Sequence, residues 1–199
     1  MKDNLLKLIE QRRSIYALGK NEILPRHDLT VLIEKIVKFM PSAFNSQSAR
    51  AVVLYAESHD KLWNIVEEAL KKEVPASAFE KTAKKIASFR AGFGTILFFE
   101  DQNTVEALQK DFPLYAANFP VWSEQSGGML QFAVWTALAE NGIGASLQHY
   151  NPLIDDAVRN EWKLPKSWKL LAEMPFGSIK EPAEEKTFLP IEERVRVFS

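Results

Sequence analysis

Residues 123–152 read SEQSGGMLQFAVWTALAENGIGASLQHYNP, and this stretch decides how the chain folds. Its first part is apolar or small at nearly every position, which predicts a long helix buried inside a domain or at a subunit interface. Asn141-Gly142 ends that helix, because these residues tolerate the left-handed conformation of a helix C-terminus. The run Ile143–Leu147 then predicts a short buried strand that leads into the polar loop Gln148–Pro152.

Two interpretations of this unit stay open. A core helix that delivers a strand with a polar loop at its end would hold a binding site rigidly. A plain helix–turn–strand unit of the hydrophobic core has the same pattern. The rest of the chain has to decide between them.

Composition excludes several classes of function. The chain has 199 residues, 46% hydrophobic and 26% charged, which is typical of one globular domain. Its net charge of -1 leaves no basic excess to drive counterion release, so we expect no nucleic-acid partner. It has no cysteine, which excludes disulfides, thiolate catalysis and cysteine-ligated metal centres, and three scattered histidines do not suggest a metal site. With no apolar run long enough for a membrane span or a signal peptide, we expect a cytoplasmic protein without a membrane partner.

The remaining chain alternates helical and extended patterns. Hydrophobic periodicity predicts helices at 4–11, 28–40, 59–72, 77–90, 104–110 and 152–161, and Asp28 is expected to cap the second. Apolar runs predict strands at 51–55, 95–100 and 168–174, with Pro175-Phe176-Gly177 ending the last one. The aromatic, irregular stretch 112–119 fits either a substrate lid or an edge packing segment. Short connections and the lack of a linker indicate one α+β domain over residues 1–199.

Two pairs of arginines suit a phosphate group. Arg12, Arg13 and Ser14 follow the first predicted helix, and a guanidinium can bind two phosphate oxygens while a hydroxyl donates one more hydrogen bond. Arg194 and Arg196 lie two residues apart near the end, so in an extended segment they point to one side. A solvated helix end and a frayed terminus explain the same residues.

A polar loop precedes the first predicted strand. It reads Ser42-Ala-Phe-Asn45-Ser-Gln47-Ser, and its amides can both donate and accept, as the edge of a planar heterocycle requires. An ordinary helix-to-strand turn also favours Ser and Asn.

The order of these motifs resembles the FMN-dependent nitroreductase family. Arg12-Arg13-Ser14 comes first, Pro41-Ser-Ala-Phe-Asn-Ser-Gln47 follows, and Gly142-Ile-Gly-Ala-Ser-Leu-Gln-His149 comes after the core helix. Arg194-Val-Arg196 closes the series. The resemblance covers essentially the whole chain, and SLQHYNP resembles the branch of small bacterial members related to yeast proteins linked to fatty-acid signalling.

The resemblance implies a fold and a set of contacts. The fold would be a central mixed, mainly antiparallel sheet flanked by helices, in an intertwined homodimer with FMN at the interface. Residues from both subunits would contact each FMN. The implied contacts are Arg12, Arg13, Ser14, Arg194 and Arg196 to the phosphate, Ser42, Asn45 and Gln47 to the ring or ribityl chain, Leu147, Gln148 and His149 near N5 through a backbone N–H, and Gln125.

The resemblance also implies a reaction. FMN would accept a hydride from NAD(P)H at N5 and reduce a small nitroaromatic, quinone or similar electrophile in a ping-pong cycle. No catalytic side chain is assigned, because water or the flavin can supply protons. His149 is the one titratable group near the implied flavin edge, and a role in turnover and a structural role are both open. The alternative function is a flavin-binding redox sensor or stress protein with little turnover.

Two departures from the family pattern bear on the reductant. Leu147-Gln148-His149-Tyr150 stands where many members have Pro-x-Glu-Gly, and a second polar helix that aids nicotinamide binding is not recognisable. The choice between NADH and NADPH is therefore not readable from the sequence.

Overall fold

The computed structural model describes residues 3–198 and has helices on both faces of one antiparallel sheet. The helices are α1 Asn4–Gln11, α2 Arg26–Phe39, α3 Ala56–Glu73, α4 Ala76–Arg90, α5 Gln102–Asp111, α6 Phe119–Glu140 and α7 Asp155–Glu161. The strands are β1 Leu18–Gly19, β2 Ala49–Tyr55, β3 Gly94–Asp101, β4 Ile143–Ala145 and β5 Trp168–Ile179. The predicted α+β class is confirmed. No helix within residues 3–198 has the length and apolarity needed to cross a membrane.

Strand β5 is the centre of the sheet. It pairs with β3 along most of its length, and its last residues pair with β1 and β4. β2 pairs with β3 and forms an edge. All of these ladders are antiparallel, and among the described residues the parallel pairing is the single bridge between Ser14 and Ala145.

The prediction that Pro175 ends the last strand is wrong. Proline lacks an N–H donor, so it was expected to break a central ladder. Its carbonyl nevertheless accepts a hydrogen bond from Ser146 N at 3.3 Å. The next carbonyl, of Phe176, accepts from Phe93 N at 2.7 Å, so β5 continues to Ile179.

Helix α6 is the buried helix that the sequence predicts, although it begins at Phe119 with Pro120 in its first turn. It ends at Glu140, and Gly142 has the left-handed φ of +70°. β4 is shorter than predicted, because pairing with β5 stops at Ala145. Leu130, Val134 and Leu138 of α6 are buried against the sheet.

The sheet separates two hydrophobic cores. Ile96 and Phe98 of β3 belong to the first core, with α2 and α6. Leu97 and Phe99 belong to the second, with α3, α4 and α7. This alternation is the period of two that a central strand shows.

Two helix starts differ from the predictions. Asp28 does not cap α2 but lies inside its first turn, and Glu22 Oε1 instead accepts from Arg26 N at 3.0 Å. Helix α7 begins at Asp155, because residues 151–154 form a turn.

Candidate functional site

The first cleft contains the predicted phosphate-binding residues at the end of α1. Arg12, Arg13, Ser14, Tyr16 and Ala17 line one wall and residues 181–187 the other, around a volume of about 700 Å³. Ser14 bridges Ala145, and Ile15 N donates to Ala145 O at 2.9 Å. The cleft is therefore fixed to the end of β4, just before the Leu147–His149 segment.

The two arginines of this cleft have no carboxylate partner within residues 3–198, although Glu181, Glu184 and Glu185 line the opposite wall. The Arg12 guanidinium lies 4.3 Å from the ring centre of Trp135, and its Nε is buried without an acceptor among residues 3–198. Arg13 donates to the carbonyl of Glu184. Neither arginine forms an ion pair in the described part of the chain. Burial lowers the pKa of Arg12, and the neighbouring charge of Arg13 lowers it further. Two guanidiniums beside a hydroxyl, neither of them in an ion pair among the described residues, fit a phosphate group.

A second cavity, of about 630 Å³, lies between α2 and the edge strand β2. Ser42 and Gln47 line it, and Ser42 Oγ accepts from Gln47 N at 2.9 Å. Phe44, Asn45 and Gln47 have φ values of 57°, 50° and 50°, a left-handed conformation unusual for residues other than glycine. Such backbone strain is typical of sites that present groups to a ligand. Asn45 itself is exposed on this loop.

A third cavity contains Gln125. It has a volume of about 410 Å³ and is lined by Phe44, Trp122 and Met129, among others. The Phe44 ring is 4.8 Å from Phe112 and stacks near Trp122 at 6.2 Å. The aromatic stretch 112–119 thus packs on the Ser42–Gln47 loop, and Ser126 lines both the second and the third cavity.

The residues of the segment after β4 differ in their burial and in their hydrogen bonds. Leu147 packs against the first core, and Gln148 is buried with Nε2 donating to Ser146 Oγ at 3.1 Å. His149 is exposed, and within residues 3–198 neither its backbone N–H nor its ring makes a hydrogen bond. The side chains of Leu147 and Gln148 therefore support the fold, whereas His149 N–H is available as a donor.

Sequence reasoning missed the carboxyl group beneath this segment. Glu173 of β5 is fully buried, exchanges backbone hydrogen bonds with Gln148 at 2.7 and 2.9 Å, and accepts from Tyr150 N at 2.9 Å through Oε2. Burial raises its pKa to about 8, and the charge of Asp155 adds to the shift. A signal was present, because Glu173 is the single charge in the apolar run LLAEMPF.

Arg194 and Arg196 lie apart from Arg12 and Arg13 within one chain. They follow the short helical turn Ile191–Glu193, and both are exposed. The cleft wall formed by this tail extends only to Thr187. A single chain thus brings together Arg12–Ser14 and the start of the Leu147–His149 segment, but leaves the other predicted contacts at separate surfaces.

Comparison with known proteins covers nearly the whole chain. The model of the nitroreductase family matches residues 9–178. The putative nitroreductase HBN1 of Saccharomyces cerevisiae is 40% identical over 188 residues, 92% of each chain, and nitroreductase FRM2 of the same yeast is 36% identical over 190 residues, 94% of this chain and 93% of FRM2. The structure of nitroreductase CinD from Lactococcus lactis in complex with chloramphenicol is 51% identical, with a TM-score of 0.90 over 98% of this chain and 100% of CinD.

Proposed function

The chain belongs to the nitroreductase family of oxidoreductases, and we propose that it binds FMN and uses NAD(P)H to reduce small nitroaromatics, quinones or similar flat electrophiles. The observation that carries the proposal is the first cleft, where Arg12 and Arg13 have no carboxylate partner among the described residues. The resemblance noted from the motifs, including the relationship to yeast proteins, is confirmed by the comparisons.

The chain's own residues would hold the cofactor at its phosphate end. Arg12 and Arg13 offer charge-assisted hydrogen bonds, which are about twice as strong as neutral ones. Trp135 supports Arg12 from behind, since its Nε1 donates to Ala145 O at 3.2 Å and fixes the ring. When bound, FMN supplies two-electron transfer between the nicotinamide and the acceptor. His149 N–H would face the reactive edge, and no side chain is assigned as a general acid.

A second copy of the chain would complete the site. Helix α1 buries none of its residues in the single chain, and the tail exposes Phe188, Val197 and Phe198 by 74%, 87% and 88%. Apolar surface of this extent is typical of a subunit interface. We infer a homodimer in which Ser42, Asn45, Gln47 and Gln125 of one subunit, and Arg194 and Arg196 of one tail, reach a cleft shared with the other subunit.

The acceptor would lie on aromatic side chains. Phe44, Trp122 and Met129 line the third cavity, and offset aromatic contacts suit a flat, electron-poor ring. The related CinD binds chloramphenicol, which carries a nitrophenyl group.

The test begins with the absorbance spectrum of the protein purified without added cofactor. We expect flavin bands, release of about one FMN per chain on heating, and oxidation of NADH or NADPH that depends on a nitroaromatic or a quinone. A colourless protein that takes up no added FMN would overturn the proposal. Bound FMN with negligible turnover on all acceptors would instead favour the redox-sensing alternative.

A further inference from the structure

Arg50 connects the rim of the second cavity to the other face of the sheet. It is the second residue of β2 and lies between Ala49 and Ala51, which pack against the first core. Successive side chains of a strand point to opposite faces, so Arg50 extends toward the second core. Its guanidinium lies 5.9 Å from the ring centre of Trp168, which packs against that core. Arg50 therefore borders the second cavity while its charged group is used on the other face of the sheet.

The Arg50 guanidinium bridges two separate parts of the chain. Its Nη1 donates to the carbonyl of Gln47 at 2.6 Å and to that of Ala49 at 3.1 Å. Its Nη2 donates to Asp101 Oδ2 at 2.9 Å. The side chains of Arg50 and Asp101 are only 30% and 15% exposed, so water screens this ion pair less than a surface pair. One planar group thus joins the Ser42–Gln47 loop to a carboxylate at the end of β3.

Asp101 is itself held in a defined position. Its Oδ1 accepts from Asn103 N at 3.2 Å and so caps the start of α5. Its backbone N–H donates to the carbonyl of Ser48 at 3.0 Å. Asp101 therefore contacts the end of the loop directly through its backbone and the Gln47 carbonyl indirectly through Arg50.

The loop that Arg50 contacts needs such support. Phe44, Asn45 and Gln47 have a left-handed backbone, which residues other than glycine keep only where their surroundings enforce it. Gln47 is fixed on both sides, because its N–H donates to Ser42 Oγ and its carbonyl accepts from Arg50. Its side chain remains exposed. The backbone contacts of Gln47 thus determine where its amide points.

We propose that Arg50 is a positioning residue: by bridging the Gln47 carbonyl and Asp101, it aims the Gln47 amide at the edge of the flavin ring. Arg50 makes no contact with the cofactor in this arrangement. Lysine cannot take its place, because a single ammonium group lacks the planar fork that reaches a carbonyl and a carboxylate together. This inference rests on the proposed function, since it requires FMN to bind at the Ser42–Gln47 loop.

The experiment is a double-mutant cycle of Arg50→Lys and Gln47→Ala, with the Kd for FMN measured on the apo-protein. Visible circular dichroism of the bound flavin reports on the surroundings of the ring, and thermal unfolding of the apo-protein reports on stability. Arg90→Lys is the matched control. Arg90 is 29% exposed and pairs with Glu67 at 2.6 Å, but it lies at the end of α4 and does not line the second cavity.

We expect Arg50→Lys and Gln47→Ala each to weaken FMN binding by about 3- to 10-fold, which corresponds to the net contribution of one hydrogen bond. Both should alter the circular dichroism of the flavin. Because Arg50 acts through Gln47, the double variant should bind FMN within about twofold of Gln47→Ala alone. Arg90→Lys should keep the wild-type affinity and spectrum. If Arg50→Lys does not fold, Asp101→Asn takes its place in the cycle, since it removes the charge that holds Arg50 but keeps an oxygen to cap α5.

Losses that multiply in the double variant overturn the inference, because Arg50 would then act independently of Gln47. Wild-type affinity in Arg50→Lys or in Gln47→Ala also overturns it, as does an equal loss of affinity in Arg90→Lys. A wild type that binds no FMN overturns the proposed function, and the inference with it.

Discussion

Two buried polar groups lie on the same face of the sheet and are satisfied very differently. The first, which we term the His59 network, consists of His59, Trp63 and Thr95. The second, the Glu173 cluster, consists of Glu173, Asn151 and Asp155. Thr95 is two residues from Leu97, the register partner of Glu173, so the two groups are neighbours in one layer.

The His59 network has a partner for each of its polar atoms. His59 Nε2 lies 3.1 Å from Arg90 O, which can only accept, so Nε2 carries the proton. His59 Nδ1 then accepts from the Thr95 hydroxyl at 2.8 Å. Trp63 Nε1 donates to the same hydroxyl oxygen at 3.0 Å. The network therefore needs nothing from outside the chain.

The Glu173 cluster has three buried oxygens without donors among residues 3–198. Native proteins pair nearly all buried polar groups, so such a concentration calls for an explanation. The cluster lies beneath the loop that carries His149, whereas the His59 network joins α3 to β3 and to the end of α4. Within this layer of the sheet, the group at the start of β3 therefore has its hydrogen bonds complete, and the group beneath the loop does not.

The largest expected effect is the change in protein stability with pH that Glu173 produces. The pKa of Glu173 is raised from 4.5 to about 8, so the unfolded chain releases this proton first. The free energy of unfolding should therefore fall as pH rises from about 4.5 to about 8, and level off above that range. Each pKa unit corresponds to about 1.4 kcal/mol, so the free energy of unfolding of Glu173→Gln should exceed that of the wild type by several kcal/mol at pH 8.

Urea unfolding at half-unit pH steps measures this slope, and the range from about pH 6.5 to 8 is the informative one. Burial lowers the pKa of His59, so its contribution rises with pH and is complete above its unfolded value of 6.5. Below that value the two slopes oppose each other. Parallel wild-type and Glu173→Gln curves between pH 6.5 and 8 would contradict the neutral acid.

The next effect tests the His59 network. Thr95→Val removes the acceptor of Trp63 and the donor to His59, and leaves two buried groups unpaired. We expect a loss of about 2–4 kcal/mol in the free energy of unfolding. Thr136→Val is the matched control, because the Thr136 hydroxyl is buried without a partner, and it should be neutral or stabilising. Equal losses of stability in both variants would show that the network contributes through packing and not through its hydrogen bonds.

A smaller effect should separate ligand binding from stability at the first cleft. Arg12→Ala and Arg13→Ala should each weaken FMN binding by about 10- to 100-fold, since a hydrogen bond to a charged group contributes about 1.5–3 kcal/mol. Thermal stability of the apo-protein should change little, because neither arginine is in an ion pair within the described chain. Arg90→Ala is the contrasting control, because Arg90 pairs with Glu67 at 2.6 Å and should lose stability but not FMN.

The next prediction concerns Arg194 and Arg196 of the tail. The double variant Arg194→Ala, Arg196→Ala should release FMN while the protein stays folded and keeps the oligomeric state of the wild type. Gel filtration with detection of flavin absorbance tests this. Retained yellow protein would remove Arg194 and Arg196 from the phosphate site.

Local patterns explain what the sequence could predict. The bounds of α1 follow from its periodicity, and the end of α6 follows from Asn141-Gly142. The pairing of strands that are far apart in the sequence could not be predicted from local patterns. β1 has two residues and exists because Lys180 N donates to Ala17 O and Leu18 pairs with Ile179, which no local pattern encodes. Pro175 misled the strand assignment for the same reason, since its neighbours supply the hydrogen bonds.

The sequence nominates residues for the site, but it does not predict how they are arranged in space. Three of the nominated residues, Arg12, Arg13 and Ser14, are adjacent in sequence and therefore had to share a surface. The structure adds that this surface is a cleft. Glu173 could not be assigned from the sequence, because its burial depends on a loop twenty-odd residues earlier in the chain. The separation of Ser42 and Gln47 into another cavity likewise depends on which faces α2 and β2 enclose.

The smallest expected effect concerns His149. Its ring is exposed and makes no hydrogen bond within residues 3–198, whereas its backbone is held between Gln148 and Tyr150 by Glu173. If the backbone N–H is the functional group, then His149→Ala should change turnover by less than about threefold, or roughly 0.6 kcal/mol. The pH dependence between 5 and 9 should keep its shape, because the imidazole then takes no part in turnover. His149→Pro is the informative counterpart, since proline removes the N–H itself. A large loss in His149→Ala together with a changed pH profile would move the function from the backbone to the imidazole, and the loop would then matter for where it places a side chain.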